Sequence, residues 1–194
     1  MGPAAAIVLG REPTDLDREN TENLLQSLGD VRTDSGSLAV SIRSTRTIAG
    51  TYEGEERSFW FDWQIDDHED PAGWRRQIEE TFRLRPKGRL SVTAGMNRPA
   101  DHRVLGEVVL QLALLLEGVI DFDGALLPLT SPAWTHRMSW PEVSSSVREL
   151  LKDMPGCVIA LEYQVNDQRT WACHVGDSHF LKGWLKHPDF HMIK

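Results

Sequence analysis

A chain of 194 residues, 40% hydrophobic and 26% charged, is long enough for one sizeable domain and far from the composition of a disordered segment. Its net charge of −8 argues against general nucleic-acid binding, which needs a basic face to neutralise phosphates, and against adhesion to an anionic membrane. Two cysteines make no disulfide framework and residues 1–10 lack the basic n-region of a secretory signal, which predicts a cytoplasmic protein.

Pro3 to Leu9 is an apolar run suited to a buried strand. Thr14 and Asp17 have the spacing of a capping box, Leu16, Leu24, Leu25 and Leu28 give the following helix its apolar side, and Gly29 ends it. The period then changes to two. Leu38, Val40 and Ile42 alternate with smaller or polar residues, Thr47 to Tyr52 reads as a second strand, and Ser58 to Ile65 as a third. In that third strand Phe59, Phe61, Trp63 and Ile65 share one face, and Trp60 lies on the other beside Asp62.

Asp70-Pro71 is a helix start, with a capping carboxylate before proline at the first helical position. Trp74, Ile78 and Phe82 form its apolar stripe, Arg85-Pro86 closes it, and Arg89 to Thr93 can form a strand. Asp101 is placed to cap the next helix, whose wide apolar arc from Val104 to Leu116 marks it as central and buried. That arc is interrupted by Gly106, Glu107 and Gln111 and is shorter than a membrane span. Ser139 and Glu142 make a second capping box for a helix reaching about Asp153. Cys157 to Val165 and Arg169 to Val175 form a hairpin around Asn166-Asp167, and Asp177 caps a last helix that His187-Pro188 ends. The order β-α-β-β-β-α-β-α-β-α-β-β-α contains several hairpin links. It predicts a single α+β domain, residues 1–194, with a mainly antiparallel sheet and helices packed on one face.

Two features suggest chemistry. Asp121-Phe122-Asp123-Gly124 looks like the first motif of the haloacid-dehalogenase phosphatases, in which the first Asp is a nucleophile and the second a general acid. Ala125 stands where that motif has threonine, however, and the following segments predict an antiparallel hairpin rather than parallel βαβ units. A short strand with Asp-Gly turn chemistry is the preferred reading; a small metal-dependent hydrolase using Asp121 and Asp123 is the alternative. The C-terminal region also holds Cys173, His174, Asp177, His179, His187, Asp189 and His191, in no recognised zinc spacing. No catalytic residue, metal or cofactor is therefore assigned.

Charge distribution carries more. Between Glu53 and Glu80 there are ten carboxylates against three arginines, which is nearly the whole net charge. From Thr81 to Arg103 the sign reverses, with six arginines or lysines against Asp101 alone. A helix macrodipole explains carboxylates at 66–70 but not the glutamates before them. The expected partner-binding surface comprises Glu53, Glu55, Glu56, Trp60, Asp62, Asp66, Asp67, Glu69 and Asp70, with Trp60 as a desolvated anchor.

Two stretches, LGEVVLQLALLLEGVIDFDGAL from Leu105 to Leu126 and HVGDSHFLKGWLKHPDFHMIK from His174 to Lys194, resemble an uncharacterised family of small bacterial proteins, domain of unknown function 6368. The resemblance implies a bacterial cytoplasmic protein of the immunity-protein kind and offers no catalytic residues to carry over. With the acidic surface it leads to an expected function: an inhibitor, not an enzyme, that binds a basic partner protein such as a cognate toxin domain.

Overall fold

The structure, a computed structural model, describes residues 2–34, 37–47, 50–65, 73–128, 131, 139–166 and 169–193; at 34, 43–47, 50–56, 165–166 and 169 it describes the backbone alone. Among these residues the chain runs β1 (Ala4–Leu9), α1 (Asp15–Leu28), β2 (Gly29–Asp34), β3 (Ser37–Thr47), β4 (Gly50–Ile65), α2 (Trp74–Phe82) and β5 (Gly88–Ala94). It continues through α3 (Pro99–Leu116), β6 (Val119–Asp121), α4 (Trp140–Leu151), β7 (Val158–Asn166), β8 (Arg169–Gly176) and α5 (Ser178–Trp184). All eight strands join one sheet in the order β2-β3-β4-β5-β1-β6-β8-β7, and every pairing is antiparallel. The fold is α+β.

Strand alternation separates two faces. On one, Ile7, Ile42, Phe59, Phe61, Leu90, Val92 and Ile120 meet Leu25 of α1, the buried arc of α3, and Phe180 and Trp184 of α5. Helix α4 covers the same face further along, where Trp140, Val143 and Val147 pack on Ala172. The opposite face is covered by α2 alone among the described helices: Ile78, with Trp74 and Phe82 beside it, packs on Val8, Val119, Leu161, Cys173 and Val175. Four helices thus lie on the expected side and one on the other, because an apolar stripe says that a helix packs but not which face receives it.

The observed element order matches the expected one through two compensating differences. Strand β2 was not expected, since GDVRTD has only Val31 to suggest burial; it is an edge strand templated by β3. Thr47 to Tyr52, expected as a strand, instead straddles the link between β3 and β4. Helix α1 has the expected capping box, with the Thr14 N–H donating to Asp17 at 2.9 Å. Leu25 is buried and Leu24 and Leu28 pack against the core as expected, but Leu16 is 63% exposed and Asp17 and Thr21 are buried in its place. In α3 the cap is Arg98 rather than Asp101, which sits one turn in and accepts the Arg98 N–H. The expected start of α2 at Asp70-Pro71 lies outside the described residues; the helix itself is preceded by Gly73 in the left-handed region, φ 69°.

Helix α3 buries Val104, Leu105, Val108, Val109, Leu112 and Leu116, each contributing roughly 1.5–3 kcal/mol of apolar burial. That offsets the cost of its two buried carboxylates, each of which takes an arginine: Asp101 pairs with buried Arg57 of β4, and Glu107 with Arg103. Arg103 also donates to the Leu185 carbonyl and lies over the Phe190 ring, tying α3 to the end of the chain. That end is part of the core. Met192 and Ile193 are buried, and the Ala4 N–H donates to the Ile193 carbonyl at 2.9 Å.

Candidate protein-binding face

Strand β4 is unusually long, and the sheet supports only part of it. Strand β5 pairs with it from Phe59 to Ile65, and β2 pairs with β3 only as far as Ile42. Past that point β3 and β4 continue as a two-stranded ribbon, with Ser44 opposite Glu53 and Thr47 opposite Gly50. The ribbon begins at a register shift, where Arg43 alone is set against Gly54, Glu55 and Glu56. Such an insertion bends and twists a ribbon away from its sheet. The backbone of Glu53, Glu55 and Glu56 therefore belongs to a projection beyond the sheet edge; their side chains lie outside the described ones.

Along the paired part of β4, Phe59 and Phe61 point into the core while Ser58, Trp60, Asp62 and Gln64 are exposed. Trp60 keeps 44% of its surface in solvent. Its ring lies against Gly95, where a Cβ would come within 2.9 Å of it, so glycine there lets the indole lie close to the backbone. Asp62 accepts from Gln64 Nε2 at 3.0 Å. The neighbouring strand adds Arg89, Ser91 and Thr93 on the same face, opposite Gln64, Asp62 and Trp60 respectively. Sequence reading did not count these three as part of the surface, although the alternation of Arg89, Ser91 and Thr93 with buried Leu90, Val92 and Ala94 signals it.

The expected acidic surface is therefore spread out. Glu53 and Ile65 are twelve residues apart on one strand, about 40 Å at strand rise. Glu53, Glu55 and Glu56 sit toward one end of β4, Trp60 and Asp62 lie midway, and Asp66, Asp67, Glu69 and Asp70 follow the other end, outside the described residues.

Asp121 is buried on β6 with both carboxylate oxygens engaged. Its Oδ2 takes Arg89 Nη2 at 2.5 Å and its Oδ1 accepts the Asp123 N–H at 2.9 Å. Asp123 stands in the left-handed region at φ 57°. Desolvation by its surroundings, then the charge of Asp121, push its carboxyl above the ordinary value, and Arg89 pulls it back. The C-terminal histidines are dispersed. Buried His174 accepts the Leu126 N–H at 3.1 Å and faces the Trp140 ring edge-on, and burial lowers its pKa to about 4. His187 stacks on Trp184 with centroids 5.0 Å apart, and His191 Nδ1 meets the Asp189 carbonyl. Among the described residues no group of three or more His, Cys, Asp or Glu could hold a metal ion. Cys173 pairs in register with Leu161, and Cys157 precedes β7; both are free, with burial raising each thiol.

Both stretches that carried the family resemblance prove to be core: Leu105 to Leu126 forms most of α3, all of β6 and the turn after it, and His174 to Ile193 forms the end of β8, α5 and the buried tail. Among the described residues no helix is long and apolar enough to cross a membrane. No curated protein and no solved structure matches the chain. The model of a family of unknown function, DUF6368, matches residues 1–194, and the chain belongs to that family.

Proposed function

We propose that the protein is a protein-binding inhibitor, an immunity protein that neutralises a cognate bacterial toxin in the cytoplasm by covering a basic surface of it. The observation that carries this reading is the outer row of β4: an exposed tryptophan whose ring lies close to Gly95, with Asp62 two residues on, on a sheet half that no described helix covers. A rigid aromatic beside a carboxylate is the composition of an interface anchor, and clustered acids beyond it would steer a basic partner. Because Glu53, Glu55 and Glu56 lie toward one end of β4 and Trp60 and Asp62 lie further along it, the footprint follows that strand. Asp121 supports the alternative hydrolase poorly, since Arg89 and the Asp123 N–H already engage both of its oxygens.

The test is capture of a partner from the native host, followed by association kinetics at two ionic strengths. Replacing Asp66, Asp67, Glu69 and Asp70 by lysine should slow association and flatten its salt dependence, and the same change at Glu53, Glu55 and Glu56 should do so independently. Trp60→Ala should act on dissociation instead. A partner that binds all three variants as it binds the wild type would remove this face from the reading.

A further inference from the structure

At the end of the strands opposite the ribbon, several cations gather among the described residues. A cavity of about 600 Å³ opens between the β1–α1 link, the α2–β5 link and the C-terminus of α3. Its charged lining is Arg11, Arg83, Arg85 and Lys87, with Glu117 as the opposing carboxylate. Arg11 is engaged by Asp17 at 2.7 Å, whereas Arg83, Arg85 and Lys87 have no ion pair among the described residues. In a chain of net charge −8 this is a local excess of positive charge inside a concavity.

The segment that carries the cations is built to hold them out. From Phe82 to Lys87 burial alternates: Arg83, Arg85 and Lys87 are exposed, Leu84 is half-buried and Pro86 buried. The segment is anchored at both sides of that alternation. The Lys87 N–H donates to the Leu9 carbonyl at 2.9 Å, and Leu84 packs so closely on Gly10 that a Cβ there would meet it at 3.2 Å. Pro86 fixes its own φ. Arg83 closes α2 in the left-handed region, φ 57°, where a cation suits the helix macrodipole. That accounts for one guanidinium. Arg85 and Lys87 lie beyond the last turn, and neither packing nor capping requires their charge.

We propose that this cavity binds a phosphorylated small molecule, its phosphate oxygens held by Arg83, Arg85 and Lys87 and its apolar part set against Phe82 and Leu84. Two guanidinium forks and an ammonium converging on one cavity are the recognition chemistry of phosphate, and the volume falls in the range of small-molecule sites. The cavity shares none of its lining with the outer row of β4, and the proposal does not rest on the inhibitor reading.

Isothermal titration with inorganic triphosphate and with adenosine triphosphate at physiological salt tests it. The wild type should bind at least one probe with Kd below about 1 mM, and tighter binding of the nucleotide would assign a share to the Phe82 wall. Arg85→Gln with Lys87→Gln keeps both stems and should weaken binding by about tenfold or more. Arg32→Gln, which removes an exposed cation on β2, should leave it unchanged. The proposal is overturned if neither probe binds, if the double variant binds as tightly as the wild type, or if Arg32→Gln loses as much as the double variant does.

Discussion

The two halves of the sheet meet their surroundings differently. Strands β1, β6, β8 and β7 are covered on both faces, by α3, α4 and α5 on one side and α2 on the other. Among the described residues, helices cover strands β2 to β5 on one face only, and the other face shows Trp60, Asp62, Gln64 and Ser91. The covered half takes in β6, the end of β8 and α5 from the two resembling stretches, and its buried residues are explained by packing. The open half has an exposed tryptophan that packing does not explain. Residues that contribute little to stability but are costly to expose are the ones whose presence calls for a partner.

Mutations can break that contrast or sharpen it. Trp184 is fully buried in the covered half and donates to the His191 carbonyl at 3.0 Å. Trp184→Ala should cost about 4–5 kcal/mol in urea unfolding, through the cavity and the orphaned carbonyl. Arg57→Leu tests the seam between β4 and α3. It strands buried Asp101 and should cost about 3–4 kcal/mol, read from the same unfolding midpoints. A loss under about 1 kcal/mol would mean that water reaches Asp101.

The covered half should also carry a pH dependence. His174 titrates at about 4 in the folded chain because burial disfavours its charged form, against 6.5 for an unperturbed imidazole. Unfolded His174 therefore takes up its proton first as the pH falls. Its contribution is fully present above pH 6.5 and is lost between 6.5 and about 4, by roughly 3 kcal/mol. His102 and His191, also lowered chiefly by burial, act in the same direction. Unfolding measured across this window should show the slope, and His174→Leu should reduce it. The smallest effect belongs to the open half: Trp60→Ala should change stability by less than about 1 kcal/mol. A larger loss by the same measurement would make Trp60 a packing residue and remove its claim to be an anchor.

Local signals in the sequence were informative wherever the structure is locally determined. The Thr14–Asp17 and Ser139–Glu142 boxes, the Asp177 cap, the alternation of Phe59 and Phe61 with Trp60 and Asp62, and the wide arc of α3 all form as read. Strand β2 was illegible because its neighbour β3, not its own residues, makes it a strand. The side of α2 was illegible because a stripe has no sense of direction relative to a sheet that is assembled later. For the candidate site, composition identified Trp60 and Asp62 as outward-facing. Glu53, Trp60 and Asp62 are set apart along one long strand, because proximity in sequence along an extended chain is distance in space. The cationic segment was visible as a reversal of charge, but not as the wall of a cavity, which needed the β1–α1 link and the end of α3 to close it.

Strand β1 precedes the other described elements along the chain and ends near the middle of the sheet. Ile7 pairs with Leu90 on one side and Ile120 on the other, and the Ala4 N–H waits for Ile193. None of these partners is local, so loop-closure entropy must be met before the central strand gains a contact, and folding should be slow for a domain of this size. Meanwhile AAAIVL is an uncharged β-forming run without proline, the kind of segment that pairs with copies of itself when left uncovered. The strand that finishes at the centre of the molecule is thus, until residue 120 has been synthesised and docked, an aggregation hazard for the growing chain.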